Sequence, residues 1–218
     1  MTTENLVLWG AGTMRTHRTL WLAEELGLDY EHRPIGPRTG ETKTDQFLAI
    51  NPRHKIPAMV HGDVCLTESA AIMSYMTEVF PVPDRVFVPA DALGRARLLE
   101  WCFFTMSELD ANAIYSIRRH GDLVQEYGAS PIAVRAAMAY FDHQLERMKD
   151  RIVASGRFLM GERISIADIL FMSCLDAAER YELALPEFLR DYRIRMRARP
   201  AYAETYKRNY GGRAAPEI

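Results

Sequence analysis

Residues 56–72 read Ile-Pro-Ala-Met-Val-His-Gly-Asp-Val-Cys-Leu-Thr-Glu-Ser-Ala-Ala-Ile, and this stretch decides the fold. The apolar runs Ile56–Val60 and Val64–Leu66 flank a turn sequence, His61-Gly62-Asp63, so they pair as a hairpin. Pro57 has no N–H and stands at the start of its strand, where a missing ladder donor is tolerated. Thr67, Glu68 and Ser69 then precede Ile72, Met73, Met76 and Phe80, whose spacing predicts an amphipathic helix with Thr67 or Ser69 near its start.

Upstream, Leu6 to Trp9 is a short apolar run closed by Gly10-Ala11-Gly12, a strand ending in a turn. Thr19, Leu22, Ala23 and Leu26 recur at i, i+3, i+4 and i+7, and Gly27 is a natural helix stop. Tyr30 to Ile35 reads as a second strand, Gly36 to Asp45 as a polar loop, and Phe47 to Ile50 as a brief helical turn. The predicted order is β-α-β-(short α)-β-β-α, ending at Pro81.

Downstream, PVPDRVFVP at 81–89 holds three prolines in nine positions, and long helical periodicity follows it. The predicted organisation is therefore a small α/β domain over 1–82, a linker over 83–90 and an all-helical domain over 91–218. Leu98, Cys102, Met106 and Leu109 line one helix, and Val134, Ala137, Met138, Phe141, Leu145, Met148 and Ile152 line another. A third begins at Ser165-Ile166-Ala167-Asp168, a capping box with a structural role, stapled by Ile164 against Ile169. Shorter helices are predicted over Pro186–Ala198 and Pro200–Lys207, with a loose tail over Gly211–Ile218.

Composition limits the function classes. In 218 residues, 27 Lys and Arg nearly balance 29 Asp and Glu, a net charge of −2, which offers no global attraction to nucleic acid or an anionic membrane. Cys65, Cys102 and Cys174 are dispersed and odd in number, so neither a disulfide framework nor a CxxC pair is available, and a reducing compartment is implied. The N-terminus lacks a basic leader, and no stretch approaches the roughly 20 apolar residues of a membrane span. A cytoplasmic, soluble protein is expected. His17, His32, His61, His120 and His143 lack metal-like spacing and read as surface or capping residues, and no metal is expected.

Together these segments resemble the cytosolic glutathione transferase superfamily. The carriers are RTLWLAEELGL (18–28), TGETKTDQFLAINPRHKIPAMV (39–60), LTESAAI (66–72), the proline-rich linker and GERISIADI (161–169), and the second of these is most similar to the theta and delta-like branch. The resemblance implies a thioredoxin-like domain followed by an all-α domain, usually in a C2 homodimer. It also implies glutathione as co-substrate, a small hydrophobic electrophile as partner, and a detoxifying transferase activity.

Glutathione carries two carboxylates, an ammonium and a thiol. Ser69 opens a helix, where backbone N–H groups and the dipole favour the γ-glutamyl carboxylate. Glu68 beside it suits the ammonium, and the family's Glu-Ser pair falls on these two positions. Local sequence alone reads them as a helix cap and a solvated carboxylate. Ile56-Pro57 matches the superfamily's X-Pro pair, in which the proline is cis and the preceding residue pairs with the cysteinyl unit as a strand would. His54 and Lys55 suit the glycyl carboxylate, or else form a solvated basic turn, and Lys43 lies in the preceding loop.

The thiolate needs its own stabilisation, since a free thiol has a pKa near 8.5. The resemblance puts Met14, facing glutathione, where theta-like members carry serine, and methionine donates no hydrogen bond. Thr13 becomes the first catalytic candidate, by hydroxyl or backbone N–H, with Arg15 and Thr16 as alternatives and simple capping as the competing role. The loop has no cysteine, against the omega and beta-like branches, and lacks the serine- and cysteine-rich run of the zeta isomerases. On the helical domain Trp101, Phe104, Glu108, Tyr115, Arg118 and Arg119 are candidates for the electrophile side, with Tyr115 and Arg118 foremost. The expected function is glutathione transfer. The alternatives are a related binding protein with little turnover, which Met14 favours, and a glutathione-dependent peroxidase or dehalogenase.

Overall fold

The computed structural model describes residues 5–212. The chain divides into two compact units, one formed by residues up to Val88 together with those from Ile194 onward, the other by Pro89–Arg193.

The first unit runs β1 (Leu6–Trp9), α1 (Met14–Leu26), β2 (Glu31–Arg33), a 3₁₀ turn at Glu41–Lys43, α2 (Asp45–Ile50), β3 (Ala58–His61), β4 (Val64–Thr67) and α3 (Ser69–Val79). The sheet order is β2-β1-β3-β4. β1 is parallel to β2, with Val7 opposite Glu31, and antiparallel to β3, with Leu8 opposite Met59. β3 and β4 form the antiparallel hairpin, with Val60 opposite Cys65. This is a thioredoxin-like domain. Pro57 precedes β3 by one residue, and the Ile56–Pro57 bond is cis.

α1 is enclosed on most sides, with Leu20, Trp21, Leu22 and Ala23 at 1% exposure or less, because α3 and a helix from the end of the chain both pack on it. That helix, α10 (Pro200–Asn209), groups with the first unit although it comes from the far end of the sequence. Its aromatic face meets α1: Tyr202 lies edge-on to Trp21 at 4.9 Å between ring centroids and to His17 at 5.2 Å. Arg199, just before it, bonds buried Glu25 in two-pronged fashion at 2.5 and 2.7 Å. The packing corrects the reading of the histidines. His17 is 2% exposed and stacked on Trp21, and His61 is buried against Tyr75, whose hydroxyl lies 2.9 Å from Nδ1.

The second unit holds α4 (Ala92–Phe103), a π-helical continuation at Phe104–Ile114, α5 (Tyr115–Gly121), α6 (Val124–Tyr127), α7 (Pro131–Ala154), α8 (Ile166–Arg180) and a 3₁₀ turn at Glu187–Leu189. α9 (Arg190–Arg197) begins here and ends in the first unit. The wider π turn departs from the predicted α spacing and brings Thr105, Leu109, Asp110, Ala113 and Ile114 inward. At the start of α8, Asp168 is fully buried. Its carboxylate accepts from the N–H groups of Leu159 at 2.7 Å and Ser165 at 2.8 Å, and from the hydroxyls of Ser165 at 2.7 Å and Tyr192 at 3.1 Å. Burial pushes this carboxyl above the usual range, and the four donors pull it back. Of the predicted loose tail, residues 213–218 lie outside those described.

Among the described residues no helix is long and apolar enough to cross a membrane, and no group of three His, Cys, Asp or Glu side chains is arranged to hold a metal ion.

Candidate functional site

Three loop ends gather in the first unit: the turn after β1, the segment before β3, and the start of α3. Gly10 fixes how closely the first two meet. At φ +117° a Cβ there would lie 2.4 Å from Thr16 Cγ2 and 2.8 Å from Ile56 Cβ, so only glycine lets these loops touch. Ile56 packs on the cluster of Trp9, Phe47 and Ala58, which holds the segment against the sheet. Asn51, 2% exposed, fastens the same loop from within: its Nδ2 donates to Lys55 O at 2.7 Å, and its Oδ1 accepts from Arg53 N at 3.1 Å.

The residue capping α3 is Glu68, not Thr67 or Ser69, and it takes a left-handed φ of 69°. Ser69 is thereby the first helical residue. The N–H of Ile72 closes onto Glu68 O at 2.9 Å, so the N–H groups before it have no intrahelical acceptor. Ser69 is 2% exposed, and its Oγ accepts from Nη1 of Arg18 at 3.4 Å. A fully buried guanidinium thus stands behind a helix N-terminus, and both favour an anion. Glu68 is exposed, and its Oε1 accepts from Nη2 of Arg53 at 2.8 Å, a guanidinium that also donates to Thr67 Oγ1 at 3.1 Å. Such an exposed pair is weak and exchangeable.

His54 has a left-handed φ of 56°, and its Nδ1 lies 3.2 Å from Thr42 O, which ties the loop before β3 to the 3₁₀ turn carrying Lys43. His54, Lys55 and Lys43 are all exposed.

Thr13 caps α1. Its Oγ1 accepts from Thr16 N at 3.1 Å and lies 3.1 Å from Thr16 Oγ1. Met14 is half-buried at the first helical position, where its N–H has no intrahelical acceptor. The loop is also held by Asn209, from the end of α10, which sequence reading passed over. Its Nδ2 donates to Thr13 O at 2.9 Å, its Oδ1 accepts from Thr16 Oγ1 at 2.5 Å, and its backbone O accepts from Gly12 N at 2.8 Å. Arg18 and Arg53 were missed as well: one lies inside the very helix segment that carries the resemblance, the other in its Asn-Pro-Arg-His loop.

The second unit sorts the remaining candidates. Trp101 is core at 3% exposure, in edge contact with Phe104. Glu108 accepts a hydrogen bond from the Tyr140 hydroxyl. Tyr115 and Arg118 are half-buried on α5, and the guanidinium of exposed Arg119 lies over the rings of Tyr115 at 5.8 Å and Tyr127 at 4.7 Å. An open cleft of about 480 Å³ in this unit is lined instead by Arg97, Glu100, Trp101, Arg151, Ser155 and Leu159 among others, so neither Tyr115 nor Arg118 faces it.

Residues 4–78 match the family described as Glutathione S-transferase, N-terminal domain, and residues 119–200 match Glutathione S-transferase, C-terminal domain. The chain belongs to the cytosolic glutathione transferase superfamily. It is 31% identical to human glutathione S-transferase theta-1 over 150 residues, 68% of this chain and 62% of that one. It is 28% identical to glutathione S-transferase D7 of Drosophila melanogaster over 77% of this chain and 71% of that one. The match thus spans about three fifths of the length of the theta-1 relatives. Among solved structures it is similar to human glutathione S-transferase T1-1, W234R mutant, with a TM-score of 0.79 and 25% identity over 95% of this chain and 88% of that one. The fold is shared with the Phanerochaete chrysosporium transferase URE2P6 in complex with oxidized glutathione, with a TM-score of 0.82 and 21% identity over 96% and 98% of the two chains.

Proposed function

We propose that the protein is a glutathione transferase that binds reduced glutathione on its thioredoxin-like unit. The observation that carries this reading is the start of α3, where Ser69 stands on buried Arg18 among helix N–H groups without intrahelical acceptors, an arrangement suited to an anion. There the γ-glutamyl carboxylate accepts from Ser69 and the helix N-terminus, and the ammonium displaces Arg53 from Glu68. Ile56 pairs with the cysteinyl unit through its backbone, and His54, Lys55 and, more distantly, Lys43 face the glycyl carboxylate.

The sulfur then meets the N-terminus of α1. The N–H of Met14 and the positive end of the helix dipole favour the thiolate over the thiol. The Thr13 hydroxyl swings its proton from Thr16 Oγ1 to the sulfur. The thiol proton leaves to solvent, and the thiolate attacks an electrophilic carbon, forming an S–C bond as the leaving group departs or a π bond is consumed. Tyr115 and Arg118 contribute on the electrophile side. The reading uses glutathione as co-substrate and no metal, and places the protein in the cytoplasm in a detoxifying role.

A homodimer is part of the proposal. Leu93, Leu99 and Phe103 on α4 are exposed at 62%, 47% and 66%, an apolar surface suited to a second copy.

One observation favours the reading of a binding protein with little turnover. With methionine at position 14, the Thr13 hydroxyl is already engaged in capping α1. Conjugation assayed across aryl halides, alkyl halides and Michael acceptors separates the two. Turnover that falls at least tenfold in Thr13→Ala supports the transferase reading with Thr13 in its chemistry. Undiminished turnover removes Thr13 from the mechanism, and none in wild type with glutathione still bound leaves the binding protein.

A further inference from the structure

Asn209 makes three hydrogen bonds to the loop that carries the proposed sulfur site, from a position 193 residues after Thr16 and 196 after Thr13. Each is of good length: 2.8 Å to Gly12 N, 2.9 Å to Thr13 O and 2.5 Å to Thr16 Oγ1. The side chain is 2% exposed, so none of these bonds is shared with bulk water. Together they cover both sides of the α1 cap, the residue before it and the third residue inside. The two prongs of the amide act in opposite senses. Nδ2 occupies the Thr13 carbonyl, which Thr16 Oγ1 also approaches at 2.8 Å. Oδ1 competes with the Thr13 carbonyl for the one Thr16 hydroxyl proton, and the Thr16 oxygen accepts from Thr13 N–H at 3.3 Å and lies 3.1 Å from the Thr13 hydroxyl.

We infer that Asn209 is a positioning residue for thiolate formation: α10 reaches across α1 and holds the Gly12–Thr16 loop so that the first helix N–H and the Thr13 hydroxyl face the sulfur. This rests on the glutathione reading above and adds a residue that touches neither glutathione nor the electrophile. The function of α10 is then to set the chemistry of a loop at the opposite end of the chain. Loss of the amide is expected to leave the Ser69 site in place, since the Arg18–Ser69 and Arg53–Glu68 hydrogen bonds run through other side chains. Binding and thiol ionisation therefore separate.

The ionisable groups around this loop are His17, Arg15 and Arg18 on α1, His32 on β2, whose Nε2 lies 2.9 Å from Gly10 O, and Tyr206 and Tyr210 at the end of α10. Burial holds His17 down at about pKa 3, so it is uncharged throughout the neutral range and does not titrate in the measurement.

The test uses full-length wild type, Asn209→Ala and Thr16→Val, with reduced glutathione as the probe. Glutathione affinity is measured by calorimetry, and the ionisation of the bound thiol by ultraviolet absorbance of the thiolate across pH. In Asn209→Ala the thiol pKa is expected to rise by about one unit, which lowers the thiolate fraction by up to about tenfold at pH values below that pKa, while the Kd changes less than about threefold. Thr16→Val, which removes the Thr16 proton that Asn209 accepts, is expected to shift the pKa in the same direction. An unchanged pKa in both folded variants overturns the inference, as does failure of both to fold, which would make Asn209 purely structural. Wild type that binds no glutathione instead overturns the functional reading on which it rests.

Discussion

Arg18 and Ser69 are 51 positions apart in the chain, yet the Arg18 guanidinium donates to the Ser69 hydroxyl at 3.4 Å with both side chains shielded from water. An arginine used this way keeps its charge and presents the serine oxygen as an acceptor, which leaves the serine proton to point at whatever enters the pocket.

Arg18→Gln removes the charge and keeps a donor. Glutathione affinity is expected to fall about tenfold, with far-ultraviolet circular dichroism retained. Unchanged affinity in a folded variant would show that the guanidinium does not contribute to the anion site.

His17 makes stability depend on pH in a definite sense. Burial first, aided by the neighbouring charge of Arg18 and opposed by a hydrogen bond with the Tyr202 carbonyl, lowers its pKa from 6.5 to about 3. The unfolded chain therefore binds a proton below pH 6.5 that the folded chain refuses. The stability this group protects is fully present above 6.5 and is lost as the pH falls toward 3, at about 1.4 kcal/mol per pH unit. Urea denaturation at pH 7 and pH 5 should show wild type losing about 2 kcal/mol more than His17→Gln. Equal losses would mean that His17 becomes charged without disturbing the packing of α1 on α10.

At the start of α8, Asp168→Asn keeps the size of the side chain but replaces one acceptor oxygen with a donor that faces the donors already gathered there. The cost is expected to be about 3 kcal/mol, since buried donors lose their partner, against about 1 kcal/mol for Ser165→Ala at the cap. Denaturant midpoints for the two variants check both the size and the order, and Ser165→Ala as the more damaging change would contradict this account of the cap.

What could be read from the chain followed the range of each interaction. The order of strands and helices rests on neighbours: apolar runs, Gly27 as a stop, and the Ser165–Asp168 cap. Those signals act within a few residues, and the elements formed where they pointed. The same local view set Ser69 as a helix-opening residue but did not show Glu68 adopting a left-handed backbone, because nothing in Thr-Glu-Ser requires it. His17 looked like a surface histidine because the rings of Tyr202, Tyr206 and Tyr210 that enclose it arrive from more than 180 positions away. Asn209 was unreadable for the same reason. A polar residue at the end of a short amphipathic helix carries no local sign of the loop it fastens. The π turn over Phe104–Ile114 likewise lies beyond a method that counts in steps of 3.6.

The central claim is that glutathione is held at the start of α3. The most direct measurement is calorimetric titration of reduced glutathione into wild type, Ser69→Ala and Glu68→Ala, each checked for native circular dichroism. The expected result is one site per chain in wild type, affinity lowered at least tenfold in Ser69→Ala, and a smaller loss in Glu68→Ala. Binding of equal strength in all three proteins would contradict the assignment of the site.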